Sequence, residues 1–261
     1  MAIADLRKLI LNIEKKSATR ATTTESNLSK PWSFGVANLD QALPDNQLCS
    51  RSLHDITAVH PADRPSACGF AMALLSRLPH DGDILWCQLF ADAREYGGLY
   101  GPGLGWLGID PGRIIHVRVR SQQDLAWVME EAVRSAGLGA VLSEGPALNF
   151  TTTRRLSLAC DEAAIPCFYV NLESNMPASA AATRWRIKAD VVADETLEIS
   201  GPGAAAWSVS LDRCRGGQLG KWQLRWNYET FSFHMVAPLR HREIPAQPAH
   251  AGEVIALRSV G

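Results

Sequence analysis

Apolar residues recur at three- and four-residue spacing in residues 2–16, where Ile3, Leu6, Leu9, Ile10 and Ile13 form one stripe and Lys8, Lys15 and Lys16 fall largely off it. The pattern predicts a short amphipathic helix. An isolated helix of about 15 residues is marginal in water, so it needs a partner surface. The polar stretch SATRATTTESNLSKP follows, has almost nothing to bury and reads as a linker. From Pro31 the pattern changes to short apolar runs alternating with helical periods. Strands are predicted at Leu53–Val59, Ile84–Leu89, Ile114–Val119, Ala140–Ser143 and Cys167–Leu172, and helices at Gly69–Leu78, Leu99–Leu107, Ser121–Ala136 and Thr151–Ala163. The third helix is the best marked: Ser121 is its N-cap, Asp124 follows three residues on, and Leu125, Val128, Met129, Ala132 and Val133 share a face.

Strand–helix alternation with largely apolar strands predicts an α/β fold with a mostly parallel sheet covered by helices. After Arg184 the helices stop. RWRIKADVVA, TLEISG, AAWSVSLD and KWQLRWN read as antiparallel strands, the last two joined by the glycine-rich loop RCRGGQLG. The organisation is therefore a helix and linker over 1–31, one domain over 32–237 and a proline-containing tail over 238–261.

The remaining composition fits this outline. The chain has 261 residues, 46% hydrophobic and 20% charged, which suits a folded domain and not a disordered one. No apolar run approaches the roughly 18–20 residues that span a bilayer, so no membrane contact is expected. The N-terminal MAIADLRKLILNIEKK lacks a small-residue cleavage site and argues against a signal peptide. Six cysteines form no C-x-x-C pair and sit mostly in apolar segments, as reduced thiols of a cytoplasmic protein would.

Candidate chemistry is sparse. A doubly wound sheet asks for a glycine-rich, phosphate-cradling loop after its first strand. The segment there, AVHPADRPSACGFAMALL, has no G-x-x-x-x-G-K-[ST], no lysine, and two prolines that lack N–H groups. Nucleophile-elbow, zincin, kinase and zinc-ligand spacings are absent, so no metal site is expected. His54, His60, His80 and His116 are scattered over the sheet region and read as satisfied or surface residues rather than bases. Asp92, Glu95 and Glu144 sit at or just beyond strand C-termini, where α/β proteins bind ligands, yet without a phosphate loop they read as capping or helix-start residues.

The order of segments resembles a known family. WSFGVANLDQAL followed by LHDITAV resembles the opening of the RecA recombinase core, as does the block from DILWCQLF to AVLSEG. The combination LYGPGL, LGIDP and MEEA, then TRRL and SAAATRWR at Ser179 to Arg186, is more similar to the ImuA family of bacterial damage-inducible mutagenesis proteins, over about residues 32–227. The resemblance implies a RecA-like core extended by C-terminal antiparallel strands. Laying the recombinase loop on PADRPSAC places Pro65, Ser66 and Ala67 on its glycine, lysine and magnesium-binding hydroxyl, a degenerate loop that implies no cofactor and no catalysis. Asp92 or Glu95 falls at the catalytic glutamate, Ser143–Glu144 at the Walker B acid, and Leu172, after Asn171, at the phosphate-sensing glutamine. Both DNA-binding loops are short, at Gly145–Phe150 and Glu173–Ala182. The implied function is that of a non-catalytic accessory or adaptor in SOS-induced error-prone translesion DNA synthesis. Its implied partners are a Y-family-like polymerase homologue and an error-prone C-family DNA polymerase, with self-association or contact with RecA. The alternative is a SulA-like cell-division inhibitor binding the tubulin-like division protein, after an older label of the family.

Charge by segment suggests where binding could occur. The formal net charge of -1 divides into +3 over 1–31, -6 over 32–183, +3 over 184–242 and -1 over the rest. Arg184, Arg186 and Lys188 share one face of a strand, and Arg213, Arg215, Lys221 and Arg225 lie on or beside the glycine-rich hairpin with Trp222 and Trp226. Basic residues interleaved with aromatics suit single-stranded DNA. However, Trp222, Leu224 and Trp226 alternate against Lys221 and Arg225, which favours rings in the core and cations outside. A weak DNA contact from the cationic face is the expectation, with Arg154 and Arg155 at a helix start as further candidates. For protein partners the candidates are Leu6, Leu9, Ile10 and Ile13 of the first helix, and Val254, Ile255 and Leu257 of the tail GEVIALRSVG.

Overall fold

The computed structural model describes residues 31–79, 82–135, 137–190 and 204–236. The expected N-terminal helix, the strand TLEISG and the tail, with Leu6, Leu9, Ile10, Ile13, Val254, Ile255 and Leu257, lie outside the described residues.

Nine strands form one sheet: β1 Leu53–Ala58, β2 Asp83–Leu89, β3 Ile114–Val119, β4 Leu138–Gly145, β5 Cys167–Asn171, β6 Thr183–Asp190, β7 Ala206–Cys214, β8 Gly220–Asn227 and β9 Ser232–Met235. Their order is β3-β2-β4-β5-β1-β6-β7-β8-β9. From β3 to β6 every pairing is parallel, and from β6 to β9 every pairing is antiparallel. This is the mostly parallel, helix-covered sheet with an antiparallel extension that the sequence implies. One detail differs. RWRIKADVVA read as the first antiparallel strand, whereas β6 lies parallel to β1 on one side and antiparallel to β7 on the other. A strand's own pattern shows which face is apolar, not the direction of its neighbour.

The helices are α1 Ala37–Asp40, α2 Arg64–Leu75, α3 Phe90–Tyr96, α4 Gly101–Trp106, α5 Gln122–Arg134 and α6 Phe150–Ala163. α2 begins five residues before the expected Gly69, because Pro65 sits in its first turn, where a missing N–H has no intrahelical partner to lose. Seven of its residues, from Ala67 to Leu75, are buried, and it is apolar nearly all round. The reason is its position, covered on one side by the sheet and on the other by the 32–48 segment, where Trp32, Phe34 and Leu39 pack against it. The Trp32 indole N–H donates to the Leu74 carbonyl at 3.1 Å, and the Trp207 indole to the Ser66 carbonyl at 2.9 Å. α5 and α6 cover the opposite side, their caps made by Ser121, accepting from Asp124 N–H, and Asn149, accepting from Thr152 N–H.

Alternation along the strands sorts the two layers. Ile56, Trp86, Leu142, Val170, Trp185 and Trp207 face α2, while Leu53, Leu85, Cys87, Val141, Cys167 and Tyr169 face α5 and α6. Burying aliphatic and aromatic side chains on both faces supplies the main driving force, about 25 cal/mol per Å² of apolar surface. Trp222, Leu224 and Trp226 lie on the α2 side, as their alternation predicts.

Candidate functional site

The connection between β1 and α2, where a phosphate loop would lie, is closed by its own residues. A 3-10 turn spans Pro61–Asp63 and runs directly into α2. The buried Asp63 carboxylate accepts the His60 N–H at 3.0 Å with one oxygen and the Ala189 N–H of β6 at 2.9 Å with the other. Asp63 thus clasps the connection to the neighbouring strand. Pro65, Ser66 and Ala67 form the first turn of α2 beyond it, with Ala67 wholly buried and the Ser66 carbonyl held by Trp207.

Beside this turn lies a cleft of about 270 Å³ at the C-terminal ends of β2, β4 and β5, lined among others by Arg64, Cys68, Trp86, Gln88, Asp92 and Glu144. Glu144 forms its floor. It is the penultimate residue of β4 and is 7% exposed. Its Oε1 accepts the Trp86 indole N–H at 2.9 Å and the Gln88 amide, and its Oε2 accepts the Cys68 thiol at 2.9 Å. The Gln88 carbonyl in turn meets His116 Nε2 at 2.6 Å, so that nitrogen carries the proton it donates. Burial pushes the Glu144 carboxyl above its ordinary value despite these three donors. Burial also raises the Cys68 thiol, and Glu144 beside it raises it further, so Cys68 is held as an unreactive thiol. At the cleft wall, burial raises Asp92, opposed by Arg64 and aided by Glu95. Arg64 lies over the Tyr96 ring, 4.8 Å from its centroid.

Of the residues that the sequence resemblance sets at recombinase catalytic positions, Asp92, Glu144 and Leu172 line this cleft. Glu95 is exposed on α3, and Ser143 points to the other face, donating to the Cys87 carbonyl at 3.1 Å. Glu144 read as a capping or helix-start residue. It is instead the buried acceptor of a network that sequence reasoning missed. One signal was available: Trp86 and Gln88 share a strand face by their spacing of two, and polar Gln88 interrupts an apolar run.

The basic candidates divide in four. Arg186 and Lys188 of β6, Lys221 and Arg225 of β8, and Ser208 and Ser210 of β7 between them share one face of the sheet. The register sets Arg186 beside Ser210 and Ser210 beside Lys221. No described helix packs on this face of β6–β8. Acids are interspersed: Arg186 pairs with Asp212 at 2.7 Å, and Asp190 accepts from Ser208 and Gln223. Arg184 does not belong to the exposed set. Its Nε pairs with Asp55 Oδ2 at 3.2 Å and both side chains are largely buried, because β6 lies against β1 at that level. Arg213 and Arg215 donate to the Ser179 and Ala180 carbonyls, tying the hairpin to the 172–182 connection. On α6, Arg155 pairs with Glu130 of α5 at 2.5 Å, and Arg154 is exposed.

Two of the histidines have clear structural explanations. His54 is fully buried in β1, between Thr183 Oγ1 and the Cys49 carbonyl, each at 2.8 Å. A carbonyl can only accept, so Nε2 carries the proton and Nδ1 accepts from the Thr183 hydroxyl, which itself accepts from the Trp185 indole at 2.7 Å. His116 serves the Gln88–Glu144 network, and burial lowers its pKa. Neither faces a substrate-sized opening as a free base.

A mostly parallel sheet with antiparallel extension, a clasped β1–α2 connection and a strand-end cleft floored by a buried acid define a mixed α/β protein with helices packed on its sheet. No family model matches the chain. It is similar to Protein ImuA of Caulobacter vibrioides strain NA1000 / CB15N and to Protein ImuA of strain CB 15, each 29% identical over 236 residues, covering 83% of this chain and 93% of the relative.

Proposed function

We propose that this chain is a non-catalytic accessory protein of damage-induced mutagenesis. On this reading it acts as an adaptor in error-prone translesion synthesis with a Y-family-like polymerase homologue and an error-prone C-family DNA polymerase. Similarity to Protein ImuA supports the pathway. The single observation that carries the non-catalytic role is the Asp63 clasp: a carboxylate occupies donors of the β1–α2 connection, and Ser66 stands where the recombinase has lysine. A nucleotide triphosphate needs free N–H groups, a cation on its terminal phosphates and a metal ligand. Asp63 adds a negative charge where phosphate charge would have to be accommodated.

Direct DNA contact falls to the open face carrying Arg186, Lys188, Lys221 and Arg225. Its interspersed acids make that contact weak and salt-sensitive. The test is reconstitution. Purified chain should co-purify with the polymerase homologue, hydrolyse no ATP and show no thermal shift with ATP or ADP. Deleting 238–261 should weaken that association while leaving the fold intact. ATP hydrolysis at a recombinase-like rate, abolished by Glu95→Gln or Glu144→Gln, would refute the non-catalytic reading, and absence of association would refute the adaptor role.

A further inference from the structure

The strand-end cleft has a chemistry of its own that the clasped connection leaves unexplained. At about 270 Å³ it falls just below the roughly 300–1,000 Å³ of small-molecule pockets and suits one long side chain. Met72, Leu104, Leu107 and Leu172 give it aliphatic walls. Asp92 Oδ2 is shielded from solvent and accepts no hydrogen bond from any described residue. Arg64 lies over Tyr96 instead of bonding that oxygen, and its Nε is likewise buried and unpartnered. A shielded carboxylate oxygen without a donor is unfavourable until one arrives.

The surroundings add a second constraint. Tyr100 is 63% and Trp106 62% exposed, their rings in edge-to-face contact with centroids 6.4 Å apart, and Tyr96 is half exposed at the mouth. A pocket ringed by exposed aromatics has the anatomy of a protein-binding hot spot. A guest matching all of this has a long aliphatic stem, a planar cationic head that can lie against aromatic rings, and N–H groups for a carboxylate. That is arginine more than lysine.

We infer that the cleft receives an arginine side chain of a partner protein, its guanidinium on Asp92 and its stem along Met72 and Leu104. This rests on the reading that no nucleotide occupies this end of the sheet, and it names the partner chemistry for that site. The cleft lining carries two acids, Asp92 and Glu144, against one cation, Arg64, so a cation is favoured there over an anion.

The test uses the full chain, isotope-labelled, with the Trp86 indole and the Gly97, Gly98 and Gly103 amides as reporters. The probes are acetyl-arginine-amide, a short peptide with one arginine between leucines, the same peptide with citrulline, and magnesium ATP. The arginine peptide should give saturable shifts confined to the cleft, with the citrulline peptide and the free arginine derivative each about tenfold weaker or more. Asp92→Asn should weaken the peptide about tenfold, with the spectrum outside α3 unchanged, and Tyr100→Ala at the exposed rim should weaken it as well.

Equal binding of citrulline, unchanged affinity in both variants, or no saturation overturns the inference. Equal affinity of the free derivative assigns the cleft to a small molecule and overturns the protein source. Shifts of the same reporters on concentrating the chain alone assign the arginine to a second copy, which also overturns a heterologous partner. Shifts with ATP sink the nucleotide-free reading separately, whatever arginine does.

Discussion

His54 makes the stability of the fold dependent on mild acid. The ring is fully buried, with both nitrogens satisfied in the neutral form and a stacked Phe168 with its centroid 4.9 Å away. Burial lowers its pKa from the ordinary 6.5 to about 4. Because the folded value is the lower one, the unfolded chain binds the proton more readily. The stabilisation is therefore complete above pH 6.5 and is lost as pH falls from there through about 4. At about 1.4 kcal/mol per unit, the full swing is about 3 kcal/mol, of which about 2 kcal/mol is lost between pH 7.5 and pH 5.

Asp55 and Glu144 have raised folded values and act in the opposite sense, whereas His116, lowered by burial, acts in the same sense as His54. The assay is therefore a difference. Urea unfolding of wild type and His54→Gln at pH 7.5 and pH 5 cancels the shared groups, and the gap between the two proteins should change by about 2 kcal/mol in that window. The His54 ring resonance should not titrate between pH 5 and pH 7. A gap constant to within about 0.5 kcal/mol, or a ring titrating near 6.5, refutes the reasoning.

Four further outcomes follow from particular contacts. Arg184→Met strands the buried Asp55 carboxylate and should cost about 3 kcal/mol in urea unfolding, whereas a loss below about 1 kcal/mol would mean the pair is effectively solvated. Glu144→Gln keeps an acceptor for Trp86 and Gln88 but cannot ionise. Since the folded pKa of Glu144 is raised, wild type loses stability as pH rises through that value, so the variant should gain on wild type from pH 5 to pH 8 in paired thermal melts. Gly217 lies against the 42–44 turn, where a Cβ would run into the Ala42 carbonyl oxygen and Cys214 Sγ; Gly217→Ala should lower stability by about 2 kcal/mol in chemical denaturation. Ala164 closes α6 in the left-handed region at φ 56°, so Ala164→Gly should raise stability by about 1 kcal/mol, and an unchanged or lower melting temperature would contradict this.

The sequence was most legible where periodicity and burial coincide. β3 matches its predicted bounds, and α5 has the N-cap and the apolar face that Ser121, Leu125 and Met129 announce. α3 was missed because FADAREY buries none of its residues and so has no apolar stripe to read. β9 was missed because SFHM is a four-residue edge with one buried residue, Phe233, too short for alternation to show.

The candidate site was legible by position but not by chemistry. Strand-end acids could be named, but whether Glu144 caps a helix or anchors a network depends on Cys68, Trp86 and Gln88 converging from α2 and β2. Pairings across 76, 58 and 56 residues of sequence leave no local pattern. Likewise, nothing in the spacing of Arg184, Arg186 and Lys188 distinguishes the first as buried. Only the neighbouring β1, with Asp55 in register, does so.

The Asp63 clasp also bears on which substitutions the β1–α2 connection can absorb. Converting Ser66 to lysine would not create a phosphate cradle, since Pro61 and Pro65 have no N–H and Asp63 already holds those of His60 and Ala189. Removing Asp63 alone would leave those two donors without their carboxylate, a penalty with no compensating ligand. The turn before α2 and the end of β6 therefore move together, since one carboxylate holds a donor from each.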